Sequence, residues 1–248
     1  NGIGEPRFTG AQNYSMLFKD YMFWDALKNT VIYWITGVIL ILALGLLISG
    51  LLNYNRLRGR AFFKSATYLP NICAVIAMGI IFSMLFEKNT GLINEVIFAM
   101  GANKVDWLTG TRFSKIPVIA LNVWRNTPWF TMILLSGLLN ISPEYYEAAK
   151  VDGANAFQRF FKITLPSLSN VMFFCFITLT ADSWKIFNEP FMLQGPGTSN
   201  VSLFQYMYES GFNVFNMGYA SAIGVVLILI LIVISVIQFI VRHKQGEI

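Results

Sequence analysis

The sequence predicts an all-α protein, a polytopic bundle of helices crossing a membrane. Three observations carry this reading. Hydrophobic residues fill 55% of the 248 positions, charged residues only 12%, and the mean hydropathy is +0.56, outside the usual range of soluble domains. Several apolar runs approach the roughly 20 residues needed to cross a hydrocarbon core of about 30 Å. Lys and Arg gather at the ends of those runs, as they do in the cytoplasmic loops of membrane proteins. Length alone would allow two soluble domains, but a single transmembrane domain over 1–248 is the simpler organisation.

The chain opens with the polar, turn-rich stretch NGIGEPRFTGAQNY. Within it and just after it, residues 1–30 are predicted to form an outer interfacial segment. Met16 to Asn29 interleaves Phe18, Tyr21, Met22 and Trp24 with Lys19, Asp20, Asp25 and Lys28. That pattern fits an amphipathic helix lying at the interface or a plain solvated helix. The first span is Val31 to Leu52, ending against Arg56, Arg58, Arg60 and Lys64. The second, roughly Ala66 to Phe86, contains Pro70. The third, about Ile116 to Leu139, carries Asn122, Arg125, Asn126 and Pro128. The fourth starts near Ser167 and fades near Phe187, with Asp182 and Lys185 in its last turns. The fifth, Ala220 to Val241, is almost purely aliphatic and stops at Arg242, His243 and Lys244.

Charge then fixes orientation. Residues 53–64 hold basic residues and no acid, and the tail holds Arg242 and Lys244 against Glu247, so both are placed in the cytoplasm. Parity puts 140–166 on the same side and 87–115 and 188–219 outside. Five spans with a cytoplasmic C-terminus leave Asn1 outside, although the chain begins without Met or a signal peptide. A sixth, N-terminal span preceding this sequence is therefore expected.

The loop 140–166 can be read residue by residue. Ser142, Pro143 and Glu144 make a helix start: a hydroxyl N-cap, a proline at the first helical position and an acid favoured by the dipole. The helix continues through Lys150, and Gly153 supplies the backbone freedom its end requires. A second short helix is predicted from about Asn155 to Thr164, with Pro166 opening the next span. Two short helices meeting at a glycine form a cytoplasmic knuckle, and small Ala148 and Ala149 permit close approach by a partner. An ordinary amphipathic loop helix is the plainer alternative.

The spacing in this loop resembles that of the permease subunits of ATP-driven, binding-protein-dependent importers. Their cytoplasmic signature is EAA, three residues, G, nine residues, I, one residue, LP. This chain has Glu147, Ala148 and Ala149, then Gly153, then Ile163, Leu165 and Pro166, with every spacing kept. Gly10, Asn13, Tyr14, Asn29, Thr30, Tyr68, Pro70, Gly91, Leu92, Asn94, Trp107, Leu108, Trp124 and Asp152 to Ala154 extend the likeness along nearly the whole chain. The sugar-importing branch is the most similar, in particular the larger maltose-type permease and its glycerol-phosphate and multiple-sugar relatives. Two departures loosen the subgroup: the outer loop LQGPGTSN at Leu193 to Asn200 lacks the usual threonine and extra glycine, and the C-terminus lacks the aromatic, glycine-rich ending of the other permease type.

The resemblance implies a type I importer permease fold, with a second permease completing a heterodimer. It also implies an extracytoplasmic solute-binding protein and two cytoplasmic ATPases. Glu147, Ala148, Ala149, Asp152, Gly153, Ile163, Leu165 and Pro166 would form the ATPase-docking element, Glu147 pairing with a basic residue there. No GxxxxGK[ST] phosphate loop occurs in the sequence, so ATP and magnesium are expected on the partner ATPase and no cofactor on this chain. The membrane implied is the cytoplasmic membrane of a bacterium or archaeon.

Polar positions inside spans are the candidates for the translocation path, because ionisable groups at membrane depth are costly and face a cavity or a partner. Asn122, Arg125, Asn126 and Trp129 fall at i, i+3, i+4 and i+7. Thr178, Asp182 and Lys185 share a face, with Ser183 and Trp184 beside them. Amides, a carboxylate and an indole suit a sugar's hydroxyls and apolar ring face. Interhelical hydrogen bonding, or hydration near the outer surface, would also account for them. Cys73 and Cys175 sit in separate apolar runs and read as packed hydrophobes. One histidine, His243, leaves no set for metal binding and little for acid–base catalysis. The net charge of +5 belongs to span ends and fits lipid headgroups rather than nucleic acid. A non-sugar solute such as glycerol phosphate or a polyamine, a self-contained carrier and an intramembrane enzyme remain the alternatives. No internal repeat supports the carrier, and Asp182 with Lys185 is thin support for the enzyme.

Overall fold

The computed structural model describes residues 8–54 and 57–244; the expectations attached to Asn1, Arg56 and Glu247 lie outside them. Every regular element among the described residues is helical. Helix α1 (Gln12–Lys19) is separated from α2 (Tyr21–Asn53) by Asp20, whose backbone is extended and whose carboxylate accepts a hydrogen bond from Met22 N at 2.9 Å. Met16 to Asn29 is therefore not one interfacial helix. An Asx N-cap starts a new helix inside it, and the helix that holds Val31 to Leu52 begins at Tyr21. Leu17, Phe23 and Ala26 are buried with Trp184, Leu203, Tyr219 and Ile223, which ties the segment to the bundle, while Phe18, Tyr21 and Trp24 remain exposed.

Helix α2 packs along α6 (Lys115–Leu139). In a membrane such packing depends on small residues that let backbones approach, and Gly45 serves here: a Cβ on it would lie 3.3 Å from Leu134 Cδ1 and 3.5 Å from Thr131 N. Ile41, Phe130, Leu134, Cys175 and Leu179 fill the joint core. Cys175 is buried and both cysteines are free thiols.

The second expected span is two helices, α3 (Arg60–Ile72) and α4 (Val75–Leu85), meeting at 91°. The bend falls at Cys73 and Ala74, both extended, rather than at Pro70 itself, whose missing N–H weakens the turn just before. Helix α5 (Leu92–Ala99) lies in the loop between α4 and α6. Asn94 organises that loop: its Nδ2 donates to the carbonyls of Lys88 at 2.9 Å and Val105 at 2.8 Å, and its Oδ1 accepts from Val105 N and Trp107 Nε1.

After α6 come α7 (Pro143–Val151), α8 (Ala156–Arg159), a π turn (Phe160–Thr164), α9 (Leu165–Ser167) and α10 (Ser169–Trp184). The helical path over 156–167 meets the path over 169–192 at 66°. Pro166 stands in the first turn of α9, and the break comes two residues later at Leu168. The π turn sits four residues ahead of the proline, where an α turn would drive the ring into the carbonyl of Lys162. Short α11 (Asn188–Met192) and α12 (Leu203–Tyr208), a second π turn (Glu209–Asn213) and α13 (Met217–Lys244) complete the chain.

Helices α2 and α13 are each long and apolar enough to cross a membrane, and the two bent pairs pass the same test together. Helix α6, at 25 residues, is about 37 Å long but is not among the helices apolar enough by composition, because Asn122, Arg125 and Asn126 dilute it. The two ends of the bundle differ. At one, Arg242 Nη2 donates to Asn170 Oδ1 at 2.6 Å and to Ser169 Oγ at 3.3 Å, so the basic end of α13 and the knuckle share an end. At the other, Asn29 Nδ2 donates to Thr198 O and Val201 O, Lys115 Nζ to Ser199 O, and Asn200 Nδ2 to Leu193 O. The LQGPGTSN loop is thus held onto α2 and α6.

Candidate functional site

The knuckle is built by local capping. Ser142 Oγ accepts from Glu144 N at 3.4 Å and Pro143 takes the first helical position. At the other end of α7, Gly153 has φ +75°, Gly153 N donates to Lys150 O at 3.1 Å and Ala154 N to Ala149 O at 2.8 Å. That pair of bonds is a Schellman motif. Asn155 and Gln158 then form a reciprocal capping box, each side chain accepting from the other's backbone N–H at 2.8 Å. Tyr146 and Thr164 share a hydroxyl–hydroxyl bond at 3.0 Å, clamping α7 to the π turn. Glu147, Ala148, Asp152, Gly153 and Pro166 are exposed, and Ala149, Ile163 and Leu165 half-buried. Exposed Tyr145, Val151 and Phe157 add an apolar surface around them.

Two cavities flank α10. The larger, about 740 Å³, is an apolar groove among α2, α10 and α13 bounded by Phe173, Phe176 and Ile237. The smaller, about 230 Å³, is polar and lies between α6, the end of α10 and α11. It brings together Asn122, Arg125, Asn126, Asp182, Ser183 and Lys185. Asn126 Nδ2 donates to Asn122 Oδ1 at 2.6 Å. A Cβ on Gly37 of α2 would lie 3.3 Å from Asn122 Nδ2 and 3.7 Å from Ser183 Oγ, so Gly37 lets α2 pack closely behind these two side chains. The Ser183 hydroxyl and Arg125 Nε are buried without hydrogen-bond partners.

Trp129 and Trp184 are placed elsewhere. Trp129 is 48% exposed and outside the cavity lining, although Phe130, the next residue along α6, lines it. Trp184 is 2% exposed in the core, its ring centroid 5.9 Å from that of Trp34; one residue after Ser183 the helix has turned by about 100°. Glu189, which sequence reasoning passed over, does line the cavity. Its Oε1 lies 3.1 Å from Arg125 Nη1. The one available signal was an acid in an otherwise almost uncharged outer loop.

An all-helical bundle with a capped knuckle at one end and a polar cavity between the two helices that flank it is the architecture of a transport permease. The chain belongs to the family of binding-protein-dependent transport system inner membrane components, whose model matches residues 41–246. It is 34% identical to an arabinooligosaccharides transport system permease protein of Halalkalibacterium halodurans, over 98% of this chain and 78% of that one. It is 32% identical to a lactose transport system permease protein of Rhizobium radiobacter, over 96% and 82%. A chain in the crystal structure of a bacterial ABC transporter involved in the import of the acidic polysaccharide alginate superposes with a TM-score of 0.86 at 21% identity, covering 97% of this chain and 85% of that one. The last comparison establishes the fold.

Proposed function

We infer that this chain, together with a second permease, forms the path by which a carbohydrate enters the cell across a bacterial or archaeal cytoplasmic membrane. An extracytoplasmic solute-binding protein delivers the cargo. The observation that carries this reading is the capped knuckle, whose exposed Glu147, Ala148 and Gly153 keep the spacing of the permease signature. Two ATPase subunits hold it, Glu147 facing a basic residue of their groove, and supply ATP and magnesium; this chain binds neither and hydrolyses nothing. Relatives named for arabinooligosaccharides and lactose support a sugar cargo. The cavity lined by Asn122, Asn126, Asp182 and Ser183 contacts it, amides and a carboxylate taking hydroxyl groups by paired hydrogen bonds.

Purification in mild detergent tests the assembly. A second permease and an ATPase pair should accompany this chain, and Glu147→Ala should release the ATPases. Uptake into liposomes should require ATP hydrolysis by the complex. Transport by this chain alone would refute the reading.

A further inference from the structure

The polar cavity carries two cations and two carboxylates, and each cation is matched within it. Arg125 Nη1 lies 3.1 Å from Glu189 Oε1, and Lys185 Nζ lies 3.2 Å from Asp182 Oδ1. The lining is therefore neutral. The pairs differ in kind: Asp182 and Lys185 are exposed, whereas Glu189 is 3% exposed. A buried carboxylate beside a cation removes that cation's pull on any third charge, while a cation left alone in low dielectric attracts an anion strongly. What the cavity leaves unsatisfied is not a net charge but hydrogen-bonding capacity. The Ser183 hydroxyl, 4% exposed, and Arg125 Nε lack partners, and Asn126 and Asn122 form a short amide chain beside them.

Glu189 reaches Arg125 because α11 presses against α4. Gly79 makes that approach possible, since a Cβ there would lie 2.6 Å from Met192 Cβ. Sequence separation of 64 residues between the partners means the pair exists only when α11 is seated.

We propose that Glu189 sets the charge of the cargo: by neutralising Arg125 it makes this part of the path selective for uncharged carbohydrate and against sugars that bear a carboxylate. The inference rests on the cavity being the sugar-contacting surface. An acidic sugar entering would have to compete with Glu189 for Arg125 and meet its field; a neutral sugar meets only hydroxyl and amide partners.

The complete complex of this chain, its partner permease and the ATPases, held in nanodiscs without nucleotide or binding protein, tests the point. Methyl glucoside and methyl glucuronide differ in whether C6 carries a hydroxyl or a carboxylate, and saturation-transfer NMR reports weak binding of both. Wild type should favour the glucoside. Glu189→Gln should shift the ratio toward the glucuronide by about ten-fold, Glu189→Asp should hold the wild-type order, and the double variant R125Q/E189Q should restore it. Should Glu189→Gln fail to assemble, Arg125→Gln alone decides, because an unpaired Glu189 must repel the glucuronide further. An unchanged ratio in Glu189→Gln, or a narrowed one in Arg125→Gln, overturns the inference. Asn126→Ala separates the two levels: it should weaken both sugars, and if it weakens neither, or if wild type binds neither, the cavity is not the sugar surface and the inference falls with that reading.

Discussion

Replacing Gly153 isolates a backbone requirement from a steric one. Its φ of +75° lies in the left-handed region, and a Cβ placed on it meets nothing within 4 Å, so any cost of substitution comes from the dihedral alone. For an L-residue that cost is roughly 1–2 kcal/mol, with Ala toward the lower end and a β-branched residue at or above the upper. Asn adopts the conformation more readily and should cost less than Ala. At 25 °C those energies correspond to factors of about 5 to 30 in the population of the closed cap. An exposed two-helix knuckle lies at the low end of local stability, where such factors register. Hydrogen exchange reads them directly, because Gly153 N and Ala154 N are the donors of the Schellman bonds to Lys150 O and Ala149 O. After correction for intrinsic exchange rates, these amides should exchange about 5-fold faster in Gly153→Ala, up to about 30-fold faster in Gly153→Val and least altered in Gly153→Asn. ATP-driven uptake should fall in the same order. If Asn and Val behave alike, or if Ala exchanges as wild type does, the cap does not depend on the left-handed glycine and the argument fails.

Gly79→Ala tests a packing contact with functional reach. The new Cβ would lie 2.6 Å from Met192 Cβ and 2.9 Å from its Cγ, close to the main chain where rotamer change gives little relief, so a loss of about 1–3 kcal/mol is expected in thermal unfolding of the complex, and Gly79→Ala should share the cargo-charge phenotype of a displaced Glu189. Asp20, between α1 and α2, gives a pH dependence. Burial raises its pKa, but hydrogen bonds from the Tyr206 and Tyr219 hydroxyls and from the Met22 and Phe23 amides outweigh it, and the net shift is downward from 3.8. A depressed folded pKa contributes stability above the unfolded value that is lost as pH falls through the folded one. The melting-temperature advantage of wild type over Asp20→Asn should hold from neutrality to about pH 5 and shrink below about pH 4; an advantage independent of pH would show that the carboxylate's ionisation is irrelevant.

What could be read from the sequence divides by the range of the interaction. The knuckle was legible because its determinants are local: Ser142 before Pro143, Gly153 after α7, and Asn155 three residues ahead of Gln158 each satisfy neighbouring backbone groups. The faces of α6 and α10 were legible as periodicity, which gathered Asn122, Arg125, Asn126 and Asp182. Periodicity shows which residues share a face of one helix but not what the rest of the bundle places opposite each of them, and so it admitted Trp129. Adjacency admitted Trp184, which the helical turn directs into the core. The split at Asp20 was hidden because an Asx cap inside a mixed polar and aromatic stretch does not interrupt its amphipathic pattern. Glu189 was marked only as an acid in an almost uncharged loop, since its place in the cavity exists through Arg125 and nothing local marks that pairing.

The geometry joins the two sites by one element. Helix α10 starts at Ser169 beside the knuckle and ends at Trp184 beside the cavity, a rigid length of about 24 Å. At its knuckle end Leu168 is buried against α6, where a Cβ on Gly137 would come within 2.7 Å of Leu168 Cδ2. That contact and the 66° bend beside it make Leu168 the point about which the knuckle and α10 are set against each other. At the far end of α10, Asp182 and Ser183 face Asn122 and Arg125 of α6 across the polar cavity, so a tilt of α10 about the Gly137–Leu168 contact would change the cavity's shape. The candidate docking and cargo residues therefore lie toward opposite ends of one helix, α10, which packs on α6.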